Sequence, residues 1–176
     1  MYRSKRNCIW RAIACSTLLC AACSGGSDES VASQTADPLV TKQDASQSMR
    51  FHANLSGGDE VPAVDTRGRG EILLDASTDG ELAYKLIVAN IDDVTMAHIH
   101  CAPAGENGPI GVTLFMSDPV TVNGTLTQAT VAAPDPDNQC GWADIAAVVD
   151  AIIAGNAYAN VHTVANPKGE IRGQLR

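Results

Sequence analysis

The stretch 70-GEILLDASTDGELAYKLIVA-89 has the pattern of a β-hairpin. Two apolar runs, 70–75 and 82–89, flank the turn Ser77-Thr78-Asp79-Gly80. Gly tolerates the positive φ that tight hairpins demand, so Asp79-Gly80 between two such runs predicts an antiparallel hairpin. Strand-like segments recur outward from it at 51–55, 95–100, 111–116, 121–122, 125–131, 158–163 and 170–175. Asn166-Pro167-Lys168-Gly169 separates the last two and predicts a second hairpin. One segment has a different period. Ile145, Val148, Val149 and Ile152 fall at i, i+3, i+4 and i+7, the apolar stripe of a short helix. Asp144 is placed to cap its start and Gly155 to end it. Many short strands with one helix predict a mainly β domain, an antiparallel β-sandwich or Greek-key barrel with one short helix.

The N-terminus has the layout of a secretory signal. Arg3, Lys5, Arg6 and Arg11 precede an uncharged run over 12–22. That run is about half of the ~20 residues a spanning helix needs. Cys20-Ala21-Ala22-Cys23 resembles the lipobox of bacterial lipoproteins, with Cys20 where Leu is usual. The resemblance implies removal of residues 1–22 and lipidation of Cys23. The acyl chains would then anchor the protein, each buried CH₂ contributing ~0.8 kcal/mol. Ser24, rather than Asp, implies an outer-membrane lipoprotein facing the periplasm or cell surface. Ordinary cleavage releasing a soluble protein is the alternative. Residues 24–49 hold six Ser and few large apolar groups, so 23–49 reads as the lipidated Cys and a disordered tether. The domain occupies 50–176, long enough for one core.

Charge narrows the partners. The chain has 12 Lys+Arg against 20 Asp+Glu, a formal charge of −8. Loss of 1–22 leaves 8 basic against 20 acidic residues, or −12. A nucleic-acid partner is excluded, because binding a polyanion needs a basic surface. The partners expected are the membrane, through the N-terminal lipid, and an extracytoplasmic protein or polysaccharide.

Cysteine use follows the compartment. Cys8, Cys15 and Cys20 leave with the signal and Cys23 is lipidated, so Cys101 and Cys140 remain. In an exported chain this predicts a Cys101–Cys140 disulfide closing a loop of ~40 residues. A metal-ligand role for Cys101 is the other reading.

Three motifs carry a family resemblance: 51-FHANLSGGDEVPAV-64, 97-AHIHCAPAGENGP-109 and 158-YANVHTVANPKGEIRGQL-175. Together they resemble the CHRD domain, named after chordin and present in many bacterial exported proteins. The likeness covers roughly 50–176 and implies a β architecture. In chordin the domain belongs to an extracellular protein that binds signalling ligands. No feature of this chain carries that ligand over.

The domain's histidines are His52, His98, His100 and His162. On a strand, His98 and His100 face one way, with Cα atoms ~6.5–7 Å apart. This spacing can chelate one ion. Imidazole suits copper and zinc, and His162 from the last-but-one strand can add a third ligand. The His-x-His strand is also similar to the copper-ligand strand of copper/zinc superoxide dismutase, over three residues only, with no match for the other ligands. The competing reading is structural: the imidazoles bond to backbone carbonyls and hold the 102–109 loop, with Tyr158, Asn160 and Thr163 in the same network. Glu170 and Arg172, two apart on a strand, read as a cross-strand ion-pair element. Asp92-Asp93 reads as a solvated turn. Asp135-Pro136-Asp137-Asn138 lacks the mid-loop Gly and closing Glu of an EF-hand. No G-x-S-x-G or phosphate-loop pattern occurs. The expected function is therefore a binding or envelope-associated module without catalytic activity; the alternative is a copper- or zinc-binding protein on His98, His100 and His162, with possible redox activity.

Overall fold

The computed structural model describes residues 48–176. Eight strands follow in chain order: β1 Met49–Ser56, β2 Arg69–Ala76, β3 Leu82–Ala89, β4 Val94–His100, β5 Ile110–Val120, β6 Gly124–Val131, β7 Tyr158–Thr163 and β8 Ile171–Gln174. The helix α1, Ile145–Ile153, lies between β6 and β7. The strands form one antiparallel sheet in the order β5-β4-β7-β8-β1-β2-β3-β6. The sheet curls into a nearly closed barrel. The Tyr84 hydroxyl on β3 donates to the Leu114 carbonyl on β5 at 2.6 Å, linking the two ends of the strand order. The fold is mainly β with one helix, as expected.

The predicted β2–β3 hairpin pairs along its whole length, from Arg69↔Ala89 to Ala76↔Leu82. Its turn uses the glycine as expected: Gly80 takes φ +81°, and its N–H donates to the Ser77 carbonyl at 3.3 Å. On β3, burial alternates, and Leu82, Tyr84, Leu86 and Val88 point to the core. The period-2 pattern follows from having one face on the core and the other toward solvent. β7 and β8 form the second predicted hairpin, with Val161↔Ile171 nearest the turn.

The helix carries the predicted caps. The Asp144 side chain accepts from the Ala147 N–H, satisfying one of the donors a helix start leaves free. Gly155 takes φ +72° just past the end, the left-handed conformation that glycine adopts at lowest cost. Ile145, Val148, Val149 and Ile152 join the same apolar core as the strands.

One expected strand is absent. Residues 121–122 lie in the β5–β6 connection because β5 runs on to Val120. The connection has a different task. Thr121 Oγ1 accepts from the Asp93 N–H at 3.0 Å and Asn123 Oδ1 from the Asn90 N–H at 2.8 Å. These bonds tie it to the β3–β4 turn, where Asn90 and Asp93 both adopt positive φ.

β4, β7 and β8 depart from simple alternation. Every residue of β7 is buried. One face of this sector, with Ala97, Ile99, Ala159, Val161 and Ile171, lies in the apolar core. The other face holds His98, His100, Asn160, His162 and Arg172, all buried. The loop after β4 helps to cover it. Arg172 donates to the Glu106 and Pro103 carbonyls and Gln174 to the Ala102 carbonyl. The Cys101–Cys140 disulfide, with Cα atoms 5.7 Å apart, fastens that loop to the segment before α1. A covered polar layer therefore lies on the sheet face opposite the core.

Candidate metal centre

The three histidines converge because of strand register. His98 and His100 are two apart on β4 and share a face. β7 pairs antiparallel with β4 so that Met96 opposes His162 and His98 opposes Asn160. His162 is thus diagonal to His98, within reach of a long or aromatic side chain. The ring centroids of His98 and His162 are 4.9 Å apart, those of His98 and His100 5.6 Å. One ring nitrogen from each histidine lies within 4.8 Å of the others.

The hydrogen bonds orient the rings. A carbonyl only accepts, so His162 Nδ1–H donates to the Pro167 carbonyl at 3.1 Å and His100 Nδ1–H to the Gly108 carbonyl at 2.9 Å. Each therefore presents an Nε2 lone pair. His98 Nδ1–H in turn donates to His162 Nε2 at 3.0 Å. His100 Nε2 is buried without a well-formed hydrogen bond, and the Asn160 side chain beside the ring favours its charged form. Metal-ligating histidines commonly bond through their other nitrogen to a backbone carbonyl or carboxylate, which fixes tautomer and angle. Two of these three already do so. Two nitrogens sharing a tetrahedral ion at ~2.0–2.1 Å stand about 3.3 Å apart. His98 Nδ1 and His162 Nε2 are close to that spacing at 3.0 Å, and both would face one ion with the His98 proton carried on its Nε2 instead.

Electrostatics favours the same state. Burial, reinforced by the neighbouring His162 and His100 imidazoles, lowers His98 to about 4. Burial also lowers His100 and His162, outweighing the carbonyl bonds that favour their charged forms. Neutral imidazole is the ligating form, so the rings need not shed a proton to solvent near pH 7.

Around the triad, His100 stacks on Tyr158 with centroids 4.8 Å apart and planes 7° from parallel. The Arg172 guanidinium lies over the Tyr158 ring, 3.4 Å from its centroid, a cation–π contact in a desolvated place. A cleft of about 650 Å³ opens beside His98 and His100, and Asp135 lines it. Asp135 is held by the Thr113 N–H at 3.0 Å and the Thr113 hydroxyl at 2.7 Å.

Glu60 lies behind this layer, buried, with Oε1 unpartnered. Burial raises it from 4.5 to about 7, while the Arg172 charge, the Val61 N–H and the Asn160 amide pull the other way and Asp59 adds a little. The folded state thus holds this proton up to about pH 7, whereas the unfolded chain releases it above about 4.5. Its stabilising contribution is lost as pH rises through that window. Glu60→Gln is expected to match the parent below pH 4.5 and to be more stable at pH 8, on the order of 1–2 kcal/mol after solvent screening. Urea unfolding at pH 4.5 and pH 8 checks it; equal stability at pH 8 would contradict it.

The sequence-predicted residues divide as follows. His98, His100 and His162 come together, while His52 is exposed on β1. The carbonyl bonds expected from the structural reading are also present, at Gly108 and Pro167. Cys101 and Cys140 are bonded to each other, which takes Cys101 out of the ligand set. Cys23 lies outside the described residues. Glu170 and Arg172 make no ion pair. Although burial raises the Glu170 carboxyl, hydrogen bonds from Thr163, Thr66 and Asn166 outweigh it and hold it low, and Arg172 serves Tyr158 and the 101–109 loop instead. Asp92 and Asp93 are exposed in the β3–β4 turn, as expected. Sequence reasoning passed over Glu60 and the Arg172–Tyr158 stack. Glu60 lies within the first quoted motif and the stacked pair in the third, but their meeting depends on β7–β8 register and on loop closure.

The family model described as the CHRD domain matches residues 51–175. No curated protein and no solved structure matches the chain.

Proposed function

The chain belongs to the CHRD-domain family, and we propose that it is an exported, lipid-anchored binding module of the cell envelope that holds one copper or zinc ion on His98, His100 and His162. The carrying observation is the convergence of three buried imidazoles, one ring nitrogen of each of His98, His100 and His162 lying within 4.8 Å of the others. Three imidazoles with an open position suit zinc or copper. The bound ion would supply a fixed cationic centre and, in the case of copper, a one-electron couple.

Export is supported by the N-terminal pattern and by the Cys101–Cys140 bond, which suits an oxidising compartment. Lipidation at Cys23 would place the domain beyond a tether at the outer membrane. The ligand of the module, beyond the ion, would be an extracytoplasmic protein or polysaccharide.

The test is metal content of the full chain exported from cells supplied with copper and zinc. About one equivalent of ion is expected after dialysis. His98→Ala with His162→Ala is expected to empty the site. Titration of the metal-stripped parent protein separates this from misfolding of the variant. No retained ion and no binding on titration would overturn the proposal.

A further inference from the structure

Two methionines flank the three histidines, and they bear on which ion the site takes. Among the described residues there are three methionines, Met49, Met96 and Met116. Met96 and Met116 are cross-strand partners on β4 and β5, and both line the cleft that opens at His98 and His100. Met96 precedes His98 by two on the same strand and stands directly opposite His162 on β7. Directly opposed residues have Cβ atoms ~4.5–5.5 Å apart. Methionine has three rotatable bonds beyond Cα, so its sulfur has the reach and freedom to turn toward the imidazoles. Met116 is 67% exposed, so core packing does not account for its place.

Thioether sulfur is a soft ligand. It selects Cu(I), whereas zinc sites are built from imidazole, thiolate and carboxylate. We propose that the site is a copper site in which Met96 supplies the fourth ligand, with Met116 at the cleft mouth as the sulfur that first meets incoming Cu(I). This rests on the three-histidine reading above and deepens it by naming the ion and its remaining ligand. A sulfur in the fourth position closes the coordination set that three imidazoles leave open. Holding or passing on copper fits such a closed set better than binding water for hydrolysis does.

The experiment measures Cu(I) and Zn(II) affinity of the full chain by competition with chromophoric chelators, without oxygen. Ascorbate keeps copper reduced without cleaving the disulfide. Met96→Leu is a volume-conserving change that leaves the imidazoles in place. It is expected to weaken Cu(I) binding by about tenfold or more, with Zn(II) binding nearly unchanged. X-ray absorption of the copper-loaded parent is expected to show a sulfur neighbour that Met96→Leu removes. Unchanged Cu(I) affinity in Met96→Leu, or copper bound by nitrogen alone, would overturn the Met96 assignment and leave the histidine site standing. Failure of the parent to bind either ion would overturn the histidine site itself. Met116→Leu is expected to slow Cu(I) uptake while leaving the final sulfur signal intact; an unchanged uptake rate would overturn its entry role.

Discussion

Arg172→Leu is expected to destabilise the domain by about 3–5 kcal/mol, from a desolvated cation–π contact of about 2 kcal/mol and hydrogen bonds whose acceptors stay behind. Arg172 is 2% exposed on β8. It lies over Tyr158 and donates to Asn107 Oδ1, the Pro103 carbonyl and the Glu106 carbonyl. Leucine fills part of the space but leaves these acceptors without their donor, at about 1–3 kcal/mol for each that stays buried. It also leaves the buried Glu60 carboxyl without the cation that favours its ionised form. Arg172→Lys is expected to recover only part of the loss, because a point charge cannot both stack on the ring and fork to the loop. Denaturant unfolding gives the total. Amide exchange in 102–109 locates it, since that loop should open first. A variant within about 1 kcal/mol of the parent would show the network to be incidental.

Loss of the Cys101–Cys140 bond is expected to cost about 4 kcal/mol in the chain-entropy model, given a separation of 39 residues. Cys101→Ala with Cys140→Ala, compared with the oxidised parent by urea unfolding, measures it. The effect extends to the site. His100 is the residue before Cys101 and bonds to Gly108, and the Cys101 N–H bonds to the Pro109 carbonyl. The loop that the disulfide fastens is therefore the loop that orients His100. A reduced or cysteine-free protein is expected to bind metal more weakly as well as to unfold more easily. Equal stability with and without the bond would mean that the loop is already closed in the unfolded chain.

Most of the fold is legible along the chain because its signals are local. Asp79-Gly80 marks one hairpin, Asn166-Pro167-Lys168-Gly169 another, and the stripe from Ile145 to Ile152 has a helical period with a capping Asp144. Residues 121–122 mislead because Thr and Val are enriched in strands but only as far as context allows, and here the Thr121 hydroxyl bonds to a neighbouring turn. Strand order is not local. The single Ser56↔Arg172 pair that joins β1 to β8 has no sequence signature. Gly173 does hint at it: a side chain there would run into the Asn54 backbone, so only glycine allows the approach.

The site was half legible. His98 and His100 share a face by periodicity alone, but the arrival of His162 depends on β4–β7 register. Glu170 and Arg172 show the limit of spacing arguments, since Arg172 bonds to the 103–107 loop and Glu170 to Thr66 and to its own hairpin at Thr163 and Asn166. Glu60 and Met96 were passed over for the same reason: a lone Glu after a turn and a lone Met on a strand are ordinary until the fold places one beside Arg172 and Asn160 and the other opposite His162.

His98, His100 and His162 are proposed to hold one ion. A crystal structure of the copper-loaded protein, with anomalous data at the copper edge, would show it. One strong anomalous peak is expected about 2.0–2.1 Å from a ring nitrogen of each of the three histidines. A peak elsewhere on the domain, or none while the imidazoles keep their bonds to each other and to Gly108 and Pro167, would contradict it.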